Sequence, residues 1–137
     1  MTIVVDSDGL IGLINKDDSH NSVSLATLEK LIQKEAKLIY PATVITEATA
    51  ILQIRLERPE LAAQIVKLLL DGKLIIEAVD YVLLKEASLL LKLGMRKHNT
   101  LFDAIVASVA KKHKADAIFS FDRWYPKLGF KLAVDMF

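Results

Sequence analysis

The sequence contains no cysteine, so neither a disulfide framework nor thiolate chemistry is available to it. No apolar run approaches the roughly 18 to 20 residues that a membrane-spanning helix needs, and we expect neither a membrane span nor a signal peptide. With 18 basic and 17 acidic residues, the chain also lacks the strong basic excess of many nucleic-acid-binding proteins. Together these absences leave the cytoplasm as the expected location.

Apolar residues, in contrast, are abundant, at 53% of 137 residues. This fraction is typical of strands covered on both faces, as in a parallel sheet, or of an apolar surface that binds a partner. The sequence shows no repeat, low-complexity tract or linker. We therefore expect residues 1–137 to form a single domain.

Short apolar runs alternate with amphipathic segments along the chain. The runs predict strands at residues 2–5, 37–40, 74–76 and 117–120, with a short fifth strand at residues 131–134. The segments between them have apolar residues at helical spacing. We expect Asp8 to cap the first helix and Thr100 to cap the helix before the fourth strand. Such alternation predicts an α/β domain with a mainly parallel sheet.

Two of the apolar runs stop abruptly at an aspartate. Asp6 follows "IVV", and Asp122 follows "IFSF". Ligands of parallel sheets bind beyond the carboxyl ends of the strands, where the strand order reverses. If the first and fourth strands are neighbours, both carboxylates reach one crevice. Taken singly, either aspartate could instead be a helix cap.

Two further acids lie near the start of predicted helices. Glu47 in "PATVITEATA" could simply interact with the helix dipole, and Asp103 in "TLFDAIVASVA" could share a capping arrangement with Thr100. An acid on an otherwise apolar helix is, however, better explained by other carboxylates or a metal nearby. Clustered carboxylates repel one another unless a cation neutralises them, and Mg²⁺ or Mn²⁺ prefers oxygen ligands.

In their order and spacing, the segments "IVVDSDGLIGLI", "PATVITEA", "LFDAIVASVA" and "FSFDRWYPKLG" resemble the PIN-domain ribonucleases, and most of all the VapC-type toxins of prokaryotic toxin–antitoxin pairs. The resemblance covers essentially the full length. It implies a three-layer α/β/α fold with an about five-stranded parallel sheet. It also implies a catalytic, metal-binding set and two hydroxyls that orient it: Asp6, Glu47, Asp103 and Asp122, with Ser7 and Ser120.

The same resemblance implies a metal-dependent endoribonuclease that uses Mg²⁺ or Mn²⁺, acts on RNA, binds a cognate antitoxin and forms a homodimer. The apolar helices between residues 42 and 93 are candidates for those protein interfaces; a generous core is the alternative. Three basic residues on the expected active-site side are candidates for contact with RNA phosphates: Arg96, Lys97 and Arg123.

Asp8 departs from the family pattern, which commonly has Asn or Ser at this position, and it leaves the number of bound ions open. The segment Asp6-Ser7-Asp8 also matches the start of haloacid-dehalogenase-like phosphatases, in which the first aspartate is the nucleophile. That alternative leaves Glu47 and Asp103 without a role. A non-catalytic PIN-like binding module is a third alternative.

Histidines and aromatic residues give weaker indications. His20, His98 and His113 lack the spacing of metal ligands, and we expect them at the surface. Trp124 and Tyr125 could stack on a base, although a turn that covers the final strand is the more common use of such a pair.

Overall fold

The computed structural model describes residues 1–93 and 98–137. Within these ranges four strands form one parallel sheet, in the order β3-β2-β1-β4. Their bounds are β1 Thr2–Val5, β2 Lys37–Pro41, β3 Ile75–Glu77 and β4 Ala117–Phe119. The central strand β1 pairs with β2 on one side and with β4 on the other. The first and fourth strands are therefore neighbours.

Helices connect the strands. Their bounds are α1 Ser7–Ile14, α2 Asn21–Gln33, α3 Ala42–Ala50, α4 Pro59–Leu70, α5 Tyr81–Leu93, α6 Leu101–Lys112 and α7 Trp124–Lys127. A π-helical turn, Ile51–Arg55, continues α3, and a 3₁₀ turn, Ala133–Asp135, lies near the C terminus. No helix in the described part of the chain is long and apolar enough to cross a membrane.

Both faces of the sheet are covered. Successive residues of a strand point to opposite faces, yet Ile3, Val4 and Val5 are all fully buried. In α6, residues 104–110 are buried without interruption, because the helix packs on the sheet and is covered in turn by α5. This confirms the predicted three-layer α/β/α fold.

The edge beyond β4 is shorter than predicted. Instead of a strand over residues 131–134, Leu132 forms a single parallel bridge with Ile118. The chain then turns into the 3₁₀ segment at Ala133. The parallel sheet is thus confirmed, with its fifth strand reduced to one residue pair.

The prediction that Asp8 caps the first helix is wrong. The N-cap of α1 is Asp6, whose backbone is extended (φ −90°, ψ 165°) and whose carboxylate accepts the N–H of Ser7. Strand β1 passes into α1 without a loop, so the residue that ends the strand also starts the helix. Asp8 lies inside the first turn, and its side chain is used elsewhere.

Candidate metal-binding active site

The carboxyl ends of β1 and β4 lie side by side. The N–H of Asp6 donates to the carbonyl oxygen of Phe119 at 3.1 Å, and Asp122 follows β4 after only two intervening residues. Asp6 is buried and Asp122 is half-buried. The two aspartates that end apolar runs in the sequence therefore belong to one edge of the sheet.

Asp6 is enclosed by hydrogen-bond donors. Its Oδ1 accepts the N–H of Ser7 at 2.7 Å, while its Oδ2 accepts the hydroxyls of Tyr125 at 2.7 Å and Ser120 at 3.1 Å. Burial raises the pKa of Asp6 well above its usual value, and the negative charge of Asp8 raises it further. The Tyr125 hydroxyl acts in the opposite direction because it stabilises the charged form.

Asp8 joins the first turn of α1 to the segment after β4. Its Oδ2 accepts the N–H of Phe121 at 2.8 Å and the hydroxyl of Ser120 at 3.0 Å. Gly9 permits this approach, since a Cβ there would lie 2.4 Å from the carbonyl oxygen of Phe119. The single hydroxyl proton of Ser120 faces carboxylate oxygens of both Asp8 and Asp6, so it can donate to only one of them at a time.

Glu47 reaches the same edge from α3. The hydroxyl of Ser7 donates to its Oε1, which connects the start of α1 to the second turn of α3. Burial raises the pKa of Glu47, and the charges of Asp103 and Asp8 add to the effect. Glu47 thus lies close enough to Asp103 and Asp8 for their negative charges to raise its pKa.

Asp103 caps α6 and also lies near other carboxylates. Its Oδ2 accepts the N–H of Thr100 at 2.7 Å, which completes a capping box at the start of α6. Burial raises its pKa, and the charge of Asp122 raises it further. The side-chain amide of Asn99 donates to Oδ2 of Asp122 at 2.9 Å. Capping therefore holds Asp103 at the carboxylate cluster.

These carboxylates form one electrostatic group, the acid cluster: Asp6, Asp8, Glu47, Asp103 and Asp122. The charge of Asp103 raises the pKa of both Asp6 and Glu47, and that of Asp122 raises the pKa of Asp8. All ion pairs found within residues 1–93 and 98–137 involve other acids. The cluster thus concentrates negative charge that no described lysine or arginine neutralises.

The acid cluster suits a hard divalent cation. Its side-chain ligands would all be carboxylate oxygens, the donors that Mg²⁺ and Mn²⁺ prefer. In the ranges that the structure describes, no three Asp, Glu or His side chains lie close enough together to hold a metal ion directly. Mg²⁺ usually keeps several waters and binds through one or two carboxylates. The residues present therefore fit an ion that is held partly through water.

The structure describes only one of the three residues predicted to contact RNA. Arg123 is exposed and pairs with Asp135 of the 3₁₀ turn. Exposed ion pairs contribute little free energy, so Arg123 could exchange Asp135 for a phosphate at small cost. Arg96 and Lys97 lie outside the described residues.

Sequence reasoning missed the contribution of Tyr125 to the site. Trp124 and Tyr125 are only 5% and 0% exposed, so neither presents a ring to a base. Both lie in the short helix α7 and not in the expected turn over a final strand. The Tyr125 hydroxyl lies against Asp6, 119 positions earlier in the chain. No local pattern carries this signal, because the two residues are distant in the sequence and meet only in the folded chain.

The phosphatase alternative is not supported by the geometry. In that chemistry the second aspartate of the Asp6-Ser7-Asp8 segment would serve as a proton donor and acceptor. Here both oxygens of Asp8 accept hydrogen bonds from within the fold, from Gly9, Ser120 and Phe121. Glu47, for which a phosphatase has no role, is part of the acid cluster.

Comparison with known proteins agrees with this architecture. The PIN-domain family model matches residues 3–131. The structure is similar to VapC20 of Mycobacterium tuberculosis, a sarcin-ricin loop cleaving toxin, with a TM-score of 0.79 and 20% identity over 93% of this chain and 95% of that one. It is also similar to VapBC2 from Rickettsia felis bound to a promoter DNA fragment, with a TM-score of 0.68 and 16% identity over 96% of each chain. Curated proteins give no significant match.

Proposed function

Because the chain belongs to the PIN-domain family, we propose that it is a divalent-metal-dependent endoribonuclease that hydrolyses phosphodiester bonds of RNA. The observation that carries this proposal is the acid cluster at the carboxyl ends of β1 and β4. Burial raises the pKa of Asp6, Asp8, Glu47 and Asp103, and the charge of a neighbouring acid raises each of them further. No described lysine or arginine forms an ion pair with the acid cluster. Binding a cation would replace this repulsion by attraction.

We assign the metal-binding, catalytic role to Asp6, Glu47, Asp103 and Asp122, which would hold one or two Mg²⁺ or Mn²⁺ ions directly or through water. A bound ion of this kind lowers the pKa of a coordinated water and neutralises charge on a phosphoryl group. The donors around the carboxylates fix their orientation. In particular, Ser7 holds Glu47, and Ser120 and Tyr125 hold Asp6.

A toxin role is part of the proposal. VapC20 is a sarcin-ricin loop cleaving toxin, and VapBC2 was found bound to a DNA fragment from its promoter. By analogy, this chain would act in the cytoplasm, form a homodimer and be restrained by a cognate antitoxin. A neighbouring gene for a small protein with a DNA-binding N-terminal half and an apolar C-terminal tail would support this role.

The nuclease activity is tested with purified protein and single-stranded RNA. We expect cleavage with Mg²⁺ or Mn²⁺ and none with EDTA. Asp6→Asn and Asp103→Asn should each reduce the rate on the order of a hundredfold or more, with the fold retained. Asp71→Asn is the matched control, because Asp71 pairs with Lys67 on the surface of α4, outside the acid cluster.

Each failure points to a different conclusion. Full activity of Asp103→Asn would contradict the four-acid site. A phosphatase would trap a phosphoryl analogue on Asp6 and be indifferent to Asp103. A wild-type protein that causes no metal-dependent loss of RNA would instead be a binding module.

A further inference from the structure

Two aromatic rings are stacked beside the acid cluster. The ring of His20 lies parallel to that of Phe121, with centroids 3.8 Å apart and an interplanar angle of 11°. Phe121 stands between Ser120 and Asp122 in the chain, and its N–H donates to Asp8 at 2.8 Å. The stack is thus fixed to the rim of the site through the backbone of Phe121.

The imidazole of His20 has no evident structural task. His20 occupies the N-cap of α2, yet its side chain forms no capping hydrogen bond. Within the described ranges its backbone N–H bonds to Asp18, whereas its ring is found only in the stack with Phe121. His20 is exposed, whereas Trp124, which the sequence also suggested for base stacking, is buried. His20 therefore presents an aromatic face to solvent beside the carboxylates.

We propose that the His20–Phe121 stack binds a nucleobase of the RNA, on the exposed face of His20 and close to the phosphate that is cut. This inference rests on the proposed function. Stacking accepts any base, because every base has a π-face. It also supplies affinity without positive charge, at a place where the acid cluster repels the RNA backbone. A prestacked pair loses little conformational freedom when the base arrives.

The test compares three variants in steady-state cleavage of a short single-stranded RNA that the wild type cuts. His20→Ala should raise KM about fivefold to a hundredfold, the effect of losing one base–aromatic stack, with a smaller change in kcat. His20→Phe keeps a ring and should restore KM to near the wild-type value. His113→Ala is the matched control, since that histidine pairs with Glu77 away from the cluster, and its KM should be unchanged.

An abasic scan of the same RNA identifies the stacked base. At one position near the cut, removal of the base should raise the KM of the wild type by the same factor as His20→Ala. In the His20→Ala variant, removal of that base should have no further effect. This non-additivity separates a direct contact from a general weakening of the fold.

Several results would overturn the inference. An unchanged KM for His20→Ala would do so, and so would an equal loss in His20→Ala and His20→Phe, since the ring itself would then not matter. Additive effects of the abasic position and His20→Ala would also reject the contact. If the wild type shows no metal-dependent cleavage at all, the proposed function fails, and base binding by the His20–Phe121 stack fails with it. If cleavage is abolished by Asp6→Asn but unaffected by His20→Ala, only the inference about the stack fails.

Discussion

Two regions of the molecule depart from the usual distribution of polar and apolar groups, in opposite ways. At the acid cluster, carboxylates are buried or half-buried. Elsewhere, α4, β3 and α5 expose large apolar side chains, here together called the apolar flank: Val66, Leu69, Leu70, Ile75, Tyr81 and Val82. Buried polar groups and exposed apolar patches are the informative departures in a protein, since scattered exposed leucines are normal.

The two regions differ in how far contacts within the chain satisfy their polar or apolar groups. Each carboxylate of the acid cluster accepts at least one hydrogen bond from within the fold. What remains is a surplus of charge, which an ion can remove. On the apolar flank, Leu70 and Tyr81 are 79% and 76% exposed. The unfavourable free energy left by the fold is therefore electrostatic at the acid cluster and hydrophobic at the apolar flank.

The largest expected effect is a loss of stability when a buried residue of α4 is truncated, compared with the same change at an exposed residue beside it. Ile65 is fully buried beneath the flank, whereas the next residue, Val66, is 42% exposed. Ile65→Ala should lower the free energy of unfolding by about 2–5 kcal/mol, because it removes methylene groups and leaves a cavity. Urea unfolding measures this loss. Below the transition, the Mn²⁺ affinity should equal that of the wild type.

Val66→Ala is the control for that experiment, with an expected change of about 0.5 kcal/mol or less. Equal losses at the two positions would contradict the burial of one face of α4. A loss of Mn²⁺ affinity in folded Ile65→Ala would show that the two regions are mechanically coupled.

The sequence predicted those features that depend on period and strand order. The apolar runs located the strands, and the rule for the carboxyl ends of parallel strands led to the expectation that Asp6 and Asp122 share a crevice. That expectation required only that β1 and β4 pair, as they do. The acidic residue on the apolar face of α6 was also a usable signal, because such a side chain is rarely buried alone.

Features that depend on side-chain contacts between distant segments were missed or misassigned. Asp8 was expected to cap α1, but its carboxylate accepts the N–H of Phe121, which is 113 positions away. The role of Tyr125 depends on the path of α7, which no periodicity specifies. The predicted fifth strand is only a single bridge between Leu132 and Ile118, because the chain enters a 3₁₀ turn at Ala133. In each case, a tertiary contact decided between local alternatives.

A smaller effect is expected from the hydroxyl of Tyr125. Tyr125→Phe removes only the oxygen that donates to Asp6 at 2.7 Å. Loss of a hydrogen bond that orients a metal ligand typically costs 10- to 100-fold, so we expect kcat and Mn²⁺ affinity to fall about tenfold while KM for RNA stays the same. Steady-state kinetics and calorimetric titration measure these changes.

Tyr40→Phe provides the control, since Tyr40 is also buried and burial alone raises its pKa, with no carboxylate contributing. Its activity should be unchanged. If both variants lose only stability and keep the Mn²⁺ affinity of the wild type, the Tyr125 hydroxyl does not position Asp6.

The smallest effect concerns how stability depends on pH in the absence of metal. Burial raises the pKa of Asp8, so the folded state holds this proton more tightly than the unfolded state, whose carboxyl has a pKa of about 4. Between pH 4 and the raised pKa, the unfolded state therefore binds fewer protons. The contribution of Asp8 to the free energy of unfolding falls as pH rises through that window. Glu77, whose pKa is lowered by Lys112, contributes with the opposite sign.

The difference between wild type and Asp8→Asn measures this contribution together with the effect of the Asp8 charge on the pKa of Asp6 and Glu47. Asn has one carbonyl oxygen where Asp8 uses two acceptors, for the N–H groups of Gly9 and Phe121. Near pH 4, where folded Asp8 keeps its proton, the variant should still be less stable than the wild type by on the order of 1 kcal/mol, because the amide nitrogen of Asn cannot accept a hydrogen bond. Its stability should then fall less steeply towards neutral pH, and Mn²⁺ should flatten the wild-type curve in the same way. Chemical unfolding at several pH values measures the slopes. A parallel curve for Asp8→Asn would mean that the Asp8 carboxylate carries no excess charge energy in the folded state.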